Sequence, residues 1–150
     1  MRFEPMACKA EWADTAEFCA NYGIDPAEAC NTILVALKKT PREYVACLVR
    51  ADTRLDVNHK LSAEVGFKRL SFATPEETAA LSSMEIGGVT LIGLPETMPI
   101  LIDEAVFERD RVIVGGGNRT SKVRLDPNEL LELPNARRAA IAAPRTAPAG

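Results

Sequence analysis

Short apolar runs alternate along this chain with polar, turn-forming breaks, and the period of each run predicts an element. "DTAEFCANYG" (14–23) puts Phe18 and Tyr22 four residues apart, with Asp14 as N-cap and Gly23 as terminator, and predicts a helix. "DPAEAC" (25–30) has an Asp-Pro start and predicts a second, short helix. "NTILVALKK" (31–39) and "EYVACLVRA" (43–51) are apolar and rich in β-branched residues, and "TPR" between them predicts a hairpin. "LDVNHKLSAEVG" (55–66) predicts a helix closed by Gly66, and "FKRLSFA" a short strand. "TPEETAALSS" carries a Thr cap, a proline at the first position and acids in the first turn, a strong helix start.

Further on, "MPILIDEAVFERD" (98–110) predicts a strand ending at Asp103 and then a helical turn. "RVIVGGGNRTSKVRL" (111–125) reads as strand, glycine turn and strand, and "DPNELLEL" (126–133) as a helix. The last segment, "NARRAAIAAPRTAPAG", is Ala/Pro-rich without a clear apolar face. It is expected to be a mobile tail over 136–150, leaving 1–135 as one domain. Neighbouring strands that can pair as hairpins, with helices interspersed, favour an α+β fold with a mixed sheet over a doubly wound one.

Composition narrows the functional classes. The chain has 150 residues, 47% hydrophobic and 26% charged, enough to bury a core without covalent staples. No run reaches the roughly 18–20 apolar residues of a membrane helix. The N-terminus has acids where a signal peptide would have an apolar stretch, so a cytoplasmic protein is expected. Cys8, Cys19, Cys30 and Cys47 form no CxxC pair and share no ligand spacing with His59, the single histidine. They read as buried, reduced thiols, and neither metal nor cofactor is expected. The net charge of −3 hides an uneven distribution. Residues 31–72 carry eight bases and four acids, and 111–150 carry seven bases and three acids. These two segments can contact a few phosphates, although charge blocks are more often solvated surface.

One stretch resists the simple pattern. "EIGGVTLIGLP" (85–95) places adjacent glycines among apolar residues, where glycine packs nothing and costs backbone entropy. Unshielded main-chain N–H groups there suit an oxyanion or a carbonyl, while a bulge or tight bend explains the same residues structurally. "GGGNRT" (115–120) matches two glycines of a dinucleotide loop, but strand follows where that motif opens a helix, so it reads as a hairpin turn. His59 reads as a surface histidine. Asp103 and Glu104 suit acid–base work, and Asp103 is equally placed to cap the turn that follows.

In order, "NTILVA", "TRLDVNHKL", "FATPEETAAL", "IGGVTLIGLP", "ILIDEAVFE", "VIVGGGNR" and "LDPNELLEL" resemble the YbaK/prolyl-tRNA-synthetase editing-domain family, the free-standing aminoacyl-tRNA deacylases. The likeness runs from about Asp14 to Leu133. It implies a mixed, barrel-like β-sheet with flanking helices and hydrolysis of the ester that joins a wrong amino acid to the 3′ adenosine of tRNA. It also implies attack by water, helped by the ribose hydroxyl, with no side-chain nucleophile. On this resemblance Gly87, Gly88 and Asn31 are the catalytic candidates. Thr32, Val89, Thr90, Leu91, Asp103, Gly115, Gly116, Arg119 and Lys122 are the substrate-binding candidates. The implied partners are the tRNA 3′ end and, secondarily, a synthetase. A catalytically silent module of the same fold, binding aminoacyl-tRNA 3′ ends or a synthetase, is the alternative. Two departures stand out: the family's loop is usually Gly-x-x-x-Pro where this chain has Leu91, and many members have lysine where it has Asn31. Arg119 or Lys122 is the expected substitute cation.

Overall fold

A computed structural model describes residues 1–145. Its centre is a five-stranded mixed sheet in the order β5-β2-β3-β6-β9. The hairpin β2 (Cys30–Leu37) and β3 (Glu43–Arg50) is antiparallel along its whole length, as its sequence predicts. β5 (Leu70–Phe72) adds antiparallel to β2, while β6 (Ile100–Asp103) and β9 (Ala136–Ala139) add in parallel beyond β3. A second sheet, β1-β8-β7, is antiparallel and consists of β1 (Glu4–Ala7), β7 (Val112–Gly115) and β8 (Ser121–Leu125). β4 (Thr53–Leu55) pairs with β10 (Ala142–Pro144). The sheets remain separate and do not close into a barrel.

Both faces of the central sheet are buried, which is why its strands read as continuous apolar runs. On one face Leu34, Leu48, Ile100 and Ile102 pack against Val112, Val114 and Leu125 of the second sheet and against Leu91, Leu94 and Met98. On the other, Val35, Val45, Cys47 and Leu101 pack against Leu55, Leu61 and Ile141. All four cysteines are free and buried.

The helices that matter for the site form where their caps predict. α1 (Thr15–Tyr22) ends at Gly23 in the left-handed conformation, while Asp14 stands at the N-cap position but makes no side-chain cap bond, its carboxylate being paired with Arg119. α3 (Pro75–Ser82) starts with a complete capping box between Thr74 and Glu77. Between them, residues 57–61 form a π-type turn that runs into α2 (Ser62–Val65), where a single helix over 55–66 is predicted. Leu55 is taken instead by β4.

Two further expectations fail. "DPAEAC" forms only a turn, because the Asp25 carboxylate accepts the Ala27 N–H and Cys30 is claimed by β2. A helix this short lacks the hydrogen bonds that offset its nucleation. Residues 136–144 are not a tail but strands β9 and β10, with Ile141 fully buried. A domain boundary at 135 would therefore cut a strand from the central sheet. The rest of the expected tail, residues 146–150, lies outside the described residues.

Candidate active site

β5 covers β2 only at Val35–Leu37, with Ala73 N–H reaching back to the Leu34 carbonyl. The outer edge of β2 is therefore left without a neighbouring strand over 30–33, and a cleft of about 430 Å³ opens beside it. That volume lies within the ~300–1,000 Å³ typical of small-molecule sites. Asn31, Thr32, Gly87, Val89, Gly115 and Lys122 line it, so the structure brings six of the sequence-predicted site residues together.

The 85–90 loop is held by turn chemistry and by its neighbours. Gly88 N–H donates to the Glu85 carbonyl, closing a turn, and the Gly88 carbonyl accepts from Gly117 N–H. Thr90 N–H points at the Met84 sulfur. Among the described residues, no protein acceptor meets the N–H of Gly87 or Val89. Both residues line the cleft, and neither amide is engaged by the protein.

Two polar side chains complete the floor. The Asn31 Oδ1 accepts from the Thr15 hydroxyl at 2.5 Å, and its amide nitrogen has no protein acceptor among the described residues. Lys122 comes from β8 and is only 6% exposed. Its ammonium donates to the carbonyls of Ala13 (2.6 Å) and Gly87 (3.0 Å), leaving one of its three protons. Burial lowers its pKa, opposed by Cys8 and Asp14. Lys122 thereby adds a cationic group to the lining of the cleft that also contains Asn31. Nothing in the sequence around Asn31 signals it, because Lys122 enters from the second sheet.

The remaining candidates lie elsewhere. Gly88 faces the 115–118 turn, where a Cβ would stand 2.0 Å from the Asn118 carbonyl oxygen. Gly116 packs against Ser121. Thr90 is 5% exposed and Leu91 1%, both directed into the protein, so the Pro-to-Leu departure at 91 does not reach the cleft lining. Asp103 is buried as well. Its carboxylate accepts the N–H groups of Ala105, Ile141 and Ala142, so it caps and fastens chain rather than binding substrate. Arg119 binds the carbonyls of Ala10 and Ile86 and the Asp14 carboxylate, which makes it a clamp on the loop rather than a free cation.

Sequence reasoning missed part of the wall: Phe72, Ala73, Pro75 and Thr78 from β5 and α3, and Asp14 and Thr15 from the start of α1. Cys30 also lines the cleft, but burial pushes its thiol up to about 12, so almost no thiolate exists at neutral pH. His59 lies outside this cleft. A Cys–His nucleophile is therefore not assembled here, whereas donors for a carbonyl oxygen are.

Comparison with known proteins gives the family and the fold. The family model for the aminoacyl-tRNA editing domain matches residues 9–133. A solved structure of a candidate trans-editing enzyme for prolyl-tRNA synthetase is 27% identical, with a TM-score of 0.81 over 94% of this chain and 87% of that one. A hypothetical protein, 23% identical, shares the fold with a TM-score of 0.84 over 95% of this chain and 93% of that one. A scaffold used for epitope grafting is 25% identical, with a TM-score of 0.80 over 94% and 87% of the two chains. With a cleft of main-chain and amide donors beside the glycine loop, and a family model matched over most of its length, this chain belongs to the aminoacyl-tRNA editing domain family.

Proposed function

We propose that this chain is a trans-editing deacylase, hydrolysing the ester between a mismatched amino acid and the terminal adenosine of tRNA. One observation carries the reading: Gly87 and Val89, whose N–H groups meet no protein acceptor among the described residues, line a single cleft together with Asn31 and Lys122. As water attacks the ester, negative charge develops on the carbonyl oxygen, and donors already in place stabilise it without reorganisation. Lys122 covers the Gly87 carbonyl, whose negative end would otherwise oppose that charge. In this reading, as the family resemblance implies, the nucleophile is water with the substrate's ribose hydroxyl as its partner in proton transfer; Cys30, its thiol pushed up to about 12 by burial, offers no competing thiolate. A small cleft with apolar walls at Leu34, Ala73 and Val89 sorts amino acids by size, at about 1–3 kcal/mol per methylene.

The test is a deacylation screen of the purified protein against a panel of mischarged tRNAs. Lys122→Met and Asn31→Ala are assayed beside it. Removing one well-placed donor should lower kcat on the order of a hundredfold. Since Lys122→Met also strips donors from two carbonyls, its folded fraction is measured by circular dichroism in the same samples. A parent protein that binds mischarged tRNA and turns over none of it is the silent module instead.

A further inference from the structure

The first cleft can hold a reactive ester but offers no free cation to a phosphate. Lys122 lies at its floor with two protons already on carbonyls. The Arg119 guanidinium is taken up by Ala10, Ile86 and Asp14. A nucleic-acid end whose terminal ester enters this cleft must therefore leave its preceding phosphate outside.

A second cleft of about 490 Å³ lies next to the first and shares Asn31, Ile33 and Phe72 with it. The shared residues belong to the open edge of β2 and to β5. Phe72 sits on edge strand β5 and is 58% exposed, which leaves its ring open to stacking. Arg54 and Arg145 both line this second cleft. Arg54 is exposed on β4 and has no acidic partner among the described residues. Arg145 uses only its Nε, which donates to the Ala51 carbonyl. The acid present, Asp56, is turned toward the main-chain N–H and ring of His59.

We propose that this second cleft binds the nucleotide immediately 5′ of the ester-bearing adenosine, its base stacked on Phe72 and its phosphate held by Arg54 and Arg145. The proposal rests on the deacylase reading of the first cleft. Stacking on an aromatic ring tolerates any base, and single-stranded ends expose their bases for it. The cleft thus contributes affinity for the tRNA end without reading its sequence.

The experiment compares two esters of one amino acid, the aminoacyl-adenosine and the aminoacyl-CCA trinucleotide, against the parent protein, Arg54→Ala and Phe72→Ala. Arg54→Ala should lower kcat/KM on the trinucleotide about tenfold, mainly through KM, and flatten its salt dependence by about one phosphate contact. Its effect on the adenosine ester should be much smaller. Equal losses on both esters, or none on either, overturn the proposal. A second arm titrates uncharged CCA trinucleotide, labelled at its 5′ end, by fluorescence anisotropy. If the parent hydrolyses neither ester, the deacylase reading fails and this arm alone decides the cleft. Salt-sensitive binding weakened by Arg54→Ala then supports it, and binding unchanged by the substitution, or absent from the parent, overturns it.

Discussion

At Gly88 a methyl group would stand 2.0 Å from the Asn118 carbonyl oxygen and 2.4 Å from its carbon, main-chain atoms that move only if the whole 115–118 turn moves. Gly87 meets a different constraint: its φ of +92° suits glycine, and its Cβ would strike the Arg119 guanidinium. So the adjacent glycines are needed first by the protein itself; Gly88 spends its N–H on the Glu85 carbonyl, and only the Gly87 amide is left without a protein acceptor beside the cleft. Gly117 has the same φ but nothing within 4 Å, which makes it a control for strain alone. We expect Gly88→Ala to cost about 3 kcal/mol, near the upper end for overpacking, and Gly117→Ala about 1 kcal/mol. Urea denaturation of both variants checks this, and equal losses would mean that the two loops are not in tight contact.

At the scale of elements, the cleft exists because β5 stops short along β2 and the chain turns into α3, whose first turn forms the opposite wall. Glu77 sets that turn. Its carboxylate accepts from the Tyr44 hydroxyl, the Thr74 N–H and Arg42, tying the helix start to β3. These bonds, Tyr44 first, hold its pKa at about 2 instead of the ordinary 4.5. The folded state therefore binds the proton less readily than the unfolded chain. Stability from Glu77 is present above about pH 4.5 and is lost as pH falls toward about 2. Glu77→Gln should melt below the parent at neutral pH, and the gap in Tm should close over that acid window. Thermal melts at a series of pH values would show it, and a gap unchanged at low pH would contradict the linkage.

For the whole molecule, the last strands close the fold. β9 pairs in parallel with β6, and Ala139 and Ile141 fill the core on the face away from the cleft. Asp103 is buried with three N–H donors, two of them from Ile141 and Ala142. Ending the chain at residue 135 would uncover that core and leave a buried carboxylate with most of its partners gone. Losing the partners of a buried charge costs about 3–5 kcal/mol by itself, comparable to the total stability of a small domain. We expect the 1–135 fragment to lack a cooperative urea transition. A sharp transition with the parent's m-value would show that β9 and β10 are dispensable.

What the sequence determined by itself is what neighbouring residues decide. The β2–β3 hairpin follows from apolar runs around a turn, α1 from its Gly23 terminator, α3 from its capping box, and the β7–β8 hairpin from its glycines. The ordered motifs likewise carried the family and the glycine loop. Only the tertiary structure decided which way the polar groups face. "NARRA" becomes a strand because the edge of β6 is available to it, not through its own propensity. Lys122 reaches the cleft by meeting carbonyls as many as 109 residues away in sequence, and Arg119 becomes a clamp by pairing with Asp14, 105 residues away. Thr90, Leu91 and Asp103 turn inward because burial and long-range hydrogen bonds claim them. Caps and hairpins are stabilised by contacts a few residues apart and so leave a pattern in the sequence. A cleft is assembled across sheets, and its composition is fixed only when they pack.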